Sequence, residues 1–243
     1  MKLSHALIAA AMAALLAGSA LAGAFAARAL ERHNGSTAST FMDTQRGHLS
    51  RLDGASLPGR VVFLGSSTFQ GLDVSAVTPF GLNLGLGGDT LPGLVKRAEQ
   101  YRALGEAHAV FINIGLNDLM QQCRLPDMPL STLLSLVPPP TPVIVAGTQG
   151  VAPSQHGERC SEQINTLVTR LNQQFASVCA QRHGCTFVSH PITPGVDSPE
   201  IRQLQDPDGI HLSANGYRVL IDRLRKVLYT IEPALAAQAP ARS

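Results

Sequence analysis

From Val61 onward, apolar runs of strand length alternate with stretches of helical period. The runs are Val61–Leu64, Leu82–Leu84, Ala109–Ile114, Val143–Ala146 and Thr186–Val188. An apolar run with no regular polar alternation marks a strand covered on both faces. Between the runs, Leu91, Leu94, Val95, Ala98 and Tyr101 recur at intervals of three and four, as one helical face requires. Ile164, Leu167, Val168, Leu171, Phe175 and Val178 repeat that pattern, as do Leu220, Leu224, Val227, Leu228 and Ile231. Pro138, Pro139, Pro140 and Pro142 exclude helix interior there and predict a rigid lead into the fourth strand. Strands alternating with helices predict an α/β fold: a three-layer α/β/α sandwich of about five parallel strands.

The ends of the chain follow another pattern. Lys2 and His5 precede an uncharged stretch from Ala6 to Ala27, rich in Ala and Leu, and Arg28 and Arg32 follow it. A basic start and an apolar middle describe an export signal. Ala20-Leu21-Ala22 and Ala24-Phe25-Ala26 both fit its small-x-small cleavage site. About twenty apolar residues also suffice to span a bilayer, so residues 1–27 are either a signal peptide or a membrane anchor. Either way the expected location is outside the cytoplasm: periplasmic or secreted, or tethered to the inner membrane. Residues 28–57 are polar and read as a connector, in which Leu49 and Leu52 fit a short helix. The domain is expected over 58–232, with a tail at 233–243.

Composition narrows the classes of function. The chain of 243 residues is 44% hydrophobic and 15% charged, which suits one globular domain with a sizeable core. A formal net charge of +2 leaves no basic footprint for nucleic acid. No C-x-x-C or H-x-x-x-H pair appears, so no structural zinc site is expected. Cys123, Cys160, Cys179 and Cys185 make an even count in an exported chain. A local Cys179–Cys185 bridge leaves Cys123 with Cys160, although buried thiols also fit.

In parallel sheets, ligands bind beyond the carboxyl ends of the strands. Ser66 and Ser67 follow the first strand, and Gly85-Leu86-Gly87-Gly88-Asp89-Thr90 follows the second. Gly115-Leu116-Asn117-Asp118 follows the third, and Asp208-Gly209-Ile210-His211 precedes the last helix. A serine hydroxyl is a weak nucleophile that needs a base, and the base needs an orienting group. His211 fits the base, and Asp208, three residues earlier, fits the orienter; Asp206 is the rival. Donors for a developing oxyanion are available in the glycine turn at 85–88, the Asn117 amide and the Ser67 N–H. Each residue taken singly also suits a structural role: Asp89 or Thr90 and Ser213 as helix N-caps, Asp118 as a turn residue. Of the other histidines, only His190, at a strand carboxyl end, is placed to line the site; His108, His156 and His183 fall outside these blocks.

The blocks GSST, NLGLGGDT, IGLND and DGIH, in this order, resemble those of the SGNH (GDSL-like) hydrolases. The second and third are most similar to the platelet-activating-factor acetylhydrolase catalytic-subunit branch. The resemblance covers about residues 60–230. It implies a flavodoxin-like sandwich and metal-free hydrolysis of esters or thioesters, or deacetylation of sugars. It also implies Ser67 as nucleophile, Asp208 and His211 as acid and base, and Ser67, Gly88 and Asn117 as the oxyanion hole. The family usually carries Asp before the serine; here that position is Ser66. The expected activity is a serine hydrolase cleaving short-chain or acetyl esters of a small molecule or polysaccharide. The alternatives are an acyltransferase or deacetylase acting on an envelope polysaccharide, and a catalytically inactive carbohydrate-binding module.

Overall fold

The structure is a computed structural model, and residues 40–152, 160 and 163–236 are described here. The apolar segment at 6–27 therefore lies outside the described residues. Residues 40–55 are helical (α1), and the compact unit that carries the sheet begins at Leu49. Leu49 is buried, and the Asp53 carboxylate accepts the N–H groups of Arg102 and Ala103 at 3.0 and 2.9 Å. The folded unit thus starts inside the stretch read as connector.

Five parallel strands follow: β1 Val61–Gly65, β2 Gly81–Gly85, β3 Ala109–Asn113, β4 Val143–Ala146 and β5 Cys185–Val188. Their spatial order is β2-β1-β3-β4-β5. The order reverses direction at β1, and the loops after β1 and β3 diverge there to leave a crevice. Each strand lies where an apolar run predicted it: every residue of β1, β3 and β4 is buried, whereas the edge strands β2 and β5 are partly exposed.

Alternate residues serve opposite layers. Val61, Phe63, Phe111, Ile144 and Ala146 pack in one cluster with Leu220, Leu224 and Leu228 of α8 (Ala214–Ile231). Val62, Leu64, Val110, Ile112, Val143 and Val145 belong to the other face and are fully buried. The other helical layer contains α3 (Leu91–Ala98), α4 (Leu116–Gln122), α5 (Leu130–Leu134) and α6 (Ile164–Ala180), which contact one another in series. The remaining short helices are α2 (Ser67–Gln70), α7 (Pro199–Arg202) and α9 (Pro233–Ala236).

Two disulfides staple the unit: Cys123–Cys160 joins the end of α4 to the segment before α6, and Cys179–Cys185 joins α6 to β5. These are the pairs the sequence suggested. They point to an extracellular or periplasmic setting. Among the described residues, no helix is long and apolar enough to cross a membrane.

Candidate active site

The strand ends determine how the site is built. β1 ends at Gly65, where an added Cβ would lie 2.3 Å from the Asn113 carbonyl oxygen. Only glycine admits this approach of β1 to β3. Ser66 then turns the chain, and its N–H donates to that same Asn113 oxygen at 3.1 Å. Ser66 is buried at 4% exposure, whereas Ser67 opens α2 and is half-exposed. Phe69 anchors the turn from below, edge-on to Phe63 with ring centroids 5.7 Å apart. Phe63 in turn stacks on Phe111 at 4.7 Å.

The loop before α8 brings its own residues to this point. The Ser67 hydroxyl lies 3.0 Å from His211 Nε2, and His211 Nδ1 lies 2.5 Å from Asp208 Oδ2. Asp208 Oδ1 accepts the N–H groups of Ile210 and His211, each at 2.8 Å. One carboxylate oxygen thus closes the turn while the other meets the ring. Partial burial pushes the Asp208 carboxyl up, but hydrogen bonds from the His211 ring and from the two amides outweigh it. Its pKa falls below the usual carboxylate value. Asp206 does not meet the ring: its N–H donates to the His211 carbonyl at 2.9 Å, and its side chain is exposed.

The remaining predicted residues converge from β2 and β3. Gly88 sits in the left-handed region at φ +76°, and among the described residues its N–H meets no protein acceptor. Neighbouring Gly87 is held by its N–H donating to Gln70 Oε1 at 2.7 Å; a Cβ there would come within 3.8 Å of Ser67 Cβ. The Asn117 amide donates one hydrogen to the Asp89 carbonyl at 2.8 Å, which leaves the second free. The Ser67 N–H, at the start of α2, likewise meets no acceptor among the described residues. Three donors with open valence thus come from the loops after β1, β2 and β3.

Several supporting residues escaped the sequence reading. Arg97 is 7% exposed and joins four groups: the Asp89 carboxylate at 2.6 Å, the Leu84 carbonyl at 2.6 Å, the Gly65 carbonyl at 2.9 Å and the Tyr101 hydroxyl at 3.0 Å. Its signal was present: it lies three residues after Leu94 and four before Tyr101, on the buried face. Asp118, read as a turn residue, is fully buried and accepts the Leu91 N–H at 2.9 Å, capping α3 from another element. Thr90 and Ser213 are N-caps of α3 and α8, accepting from Gly93 and Gly216. His190 is 5% exposed and its Nδ1 accepts the Ile192 N–H, so it is part of the packed interior. His108 pairs with Glu232 at 2.9 Å, His183 is exposed, and His156 lies outside the described residues.

A hydroxyl bonded to an imidazole that a carboxylate holds, beside unpaired N–H donors, is an arrangement suited to acyl transfer. The fold and this site define an α/β/α hydrolase. The model of the GDSL-like lipase/acylhydrolase family matches residues 59–219, and the chain belongs to that family, whose chemistry is ester hydrolysis. Among solved structures, it is similar to a candidate platelet activating factor from Streptococcus pneumoniae: TM-score 0.64, 18% identity, over 77% of this chain and 92% of that one. It is also similar to a GDSL-like lipase from Bacteroides thetaiotaomicron: TM-score 0.57, 19% identity, over 78% of this chain and 98% of that one. A third similar structure is a lipase/acylhydrolase from Enterococcus faecalis: TM-score 0.54, 19% identity, over 71% and 96%. At these identities the likeness shows the fold alone. No curated protein matches the sequence.

Proposed function

We propose that this protein is an exported serine esterase that cleaves short-chain, above all acetyl, esters through Ser67, His211 and Asp208. The observation that carries the reading is the continuous chain from Ser67 Oγ to His211 Nε2 and from His211 Nδ1 to Asp208 Oδ2, at 3.0 and 2.5 Å. His211 Nε2 takes the hydroxyl proton as Ser67 Oγ attacks the acyl carbonyl. Asp208, ionised because its pKa lies below the usual value, stabilises the resulting imidazolium. The Ser67 and Gly88 N–H groups and the free Asn117 amide hydrogen receive the oxyanion. The imidazolium then protonates the leaving alcohol, and the acyl group stays on Ser67. Water, activated by the same imidazole, releases the acid and restores the hydroxyl.

Export is supported by the two disulfides together with the uncharged segment from Ala6 to Ala27. Two observations speak against Ser66 as the nucleophile: it is buried, and among the described residues it is Ser67, not Ser66, that hydrogen-bonds His211. The test is covalent trapping. A fluorophosphonate should add one phosphonyl group to the full-length protein, on the peptide that contains Ser67. Labelling of another residue, or none in the folded protein, contradicts the reading.

A further inference from the structure

The nucleophile and the base are 144 residues apart in sequence, on two segments that approach from different elements. The segment after β4 lies between them. Gln149 is 2% exposed, and its Nε2 lies 3.0 Å from the Thr68 hydroxyl and 3.4 Å from the Ile210 carbonyl. Thr68 directly follows Ser67, and Ile210 directly precedes His211. A carbonyl only accepts, so the atom facing Ile210 must be the amide nitrogen. That fixes the orientation of the group. Apart from His211, Gln149 is the one side chain among the described residues that hydrogen-bonds both segments.

Its neighbours hold the same loop. The Ala152 N–H donates to the Gly209 carbonyl at 2.8 Å. Gln205 Nε2 lies 3.2 Å from the Gly150 carbonyl and 3.3 Å from that of Gly209. These bonds fix residues 205–211 to the β4 loop alone; only Gln149 also reaches the nucleophile's helix. The bond to Thr68 is buried, so the Thr68 hydroxyl cannot turn to water once it is lost.

We propose that Gln149 is a positioning residue, which sets the Ser67–His211 separation by clamping Thr68 and Ile210 to one amide. The proposal rests on the reading of Ser67 as nucleophile and His211 as base. A misplacement of ~1 Å at a reacting pair costs roughly 10²-fold in rate. A lost clamp should therefore appear in kcat, not in KM.

The experiment compares full-length wild type with Gln149→Leu, Thr68→Val and the double variant, using p-nitrophenyl acetate. Gln149→Leu is expected to lower kcat roughly 10–100-fold, with KM within about twofold. Thr68→Val removes one acceptor while keeping the shape and should lower kcat in the same direction. Thr68→Ser, which restores the hydroxyl, should recover most of the rate. The double variant should be no slower than Gln149→Leu alone, since both remove one link. If Gln149→Leu does not fold, the Thr68 pair carries the test, because Val and Ser differ from Thr only locally. Unchanged kcat in Thr68→Val, or in folded Gln149→Leu, overturns the proposal. Crystal structures separate it from the hydrolase reading. If the wild type is inactive, that reading fails, yet a Ser67–His211 distance opened beyond hydrogen-bond reach in Gln149→Leu still supports the clamp. An unchanged distance overturns it.

Discussion

The Arg97 guanidinium and the Asp89 carboxylate form a buried ion pair at 2.6 Å, directly beneath the loop that carries Gly88. Asp89 is 3% exposed, and its carbonyl takes the Asn117 amide at 2.8 Å. One residue thus links the ends of β1 and β2, through Arg97, to two of the three proposed oxyanion donors. Removing Arg97 leaves a carboxylate buried and uncompensated, which typically costs about 3–5 kcal/mol. Arg97→Ala should lose that much stability in a urea titration, with kcat falling alongside as the loop relaxes.

Asp208 touches the imidazole and also closes its turn. Asp208→Asn keeps an oxygen for the backbone amides but withdraws the charge that stabilises the imidazolium. A loss of roughly 10⁴-fold in kcat is expected, with little change in KM. Steady-state kinetics on an acetyl ester checks it. Asp206→Asn should leave the rate within about twofold, because the Asp206 side chain has no contact with the ring.

Asn117 combines two tasks. Its amide anchors the Asp89 carbonyl and offers a second hydrogen to the oxyanion. Asn117→Ala should lower kcat by about 10²–10³, the cost of one lost donor. The binding of a ground-state product such as acetate should be far less affected.

Asp118 gives a pH signature of its own. Burial pushes its carboxyl from the ordinary 3.8 up to about 6, against hydrogen bonds from the Leu91 N–H and its own N–H, which lower it. The native protein therefore holds this proton more tightly than the unfolded chain. Stability from this group is fullest below pH 4 and is lost as pH rises towards 6, a change on the order of 3 kcal/mol. Asp118→Asn retains an acceptor for Leu91 without the charge. The dependence of its Tm on pH between 4 and 7 should differ from wild type, with less decline across that window.

The two disulfides close loops of different length, 37 and 6 residues apart in sequence. Loop-closure entropy assigns ~4 kcal/mol to Cys123–Cys160 and ~2 kcal/mol to Cys179–Cys185. Paired Cys→Ser variants, compared by denaturant titration, should fall in that order.

The five strands and helices α3, α6 and α8 were legible because a doubly covered sheet demands mostly apolar strands, and its flanking helices demand one apolar face. The glycine turn and Asn117 were legible for another reason: their position at strand carboxyl ends follows from topology, while the Asp208–His211 pair was legible from its close spacing before the last helix. Gln149 and Asp118 were not, and of Arg97 only its place on the buried helical face was. Each bonds a group brought near only by the tertiary fold, such as Gly65, 32 residues from Arg97, or Thr68, 81 residues from Gln149. No local period records such a partner. The short helix around Leu49 and Leu52 was legible, but its attachment was not, since Asp53 accepts from Arg102 and Ala103, about fifty residues on.

The central claim is that Ser67 performs the attack. The direct measurement is hydrolysis of p-nitrophenyl acetate by the full-length protein beside its Ser67→Ala and Ser66→Ala variants. The account predicts that Ser67→Ala loses activity by roughly 10⁶-fold, to near background. Ser66→Ala, at a buried residue that is not the one bonded to His211, should stay within about tenfold of wild type. Full activity in folded Ser67→Ala would contradict the account.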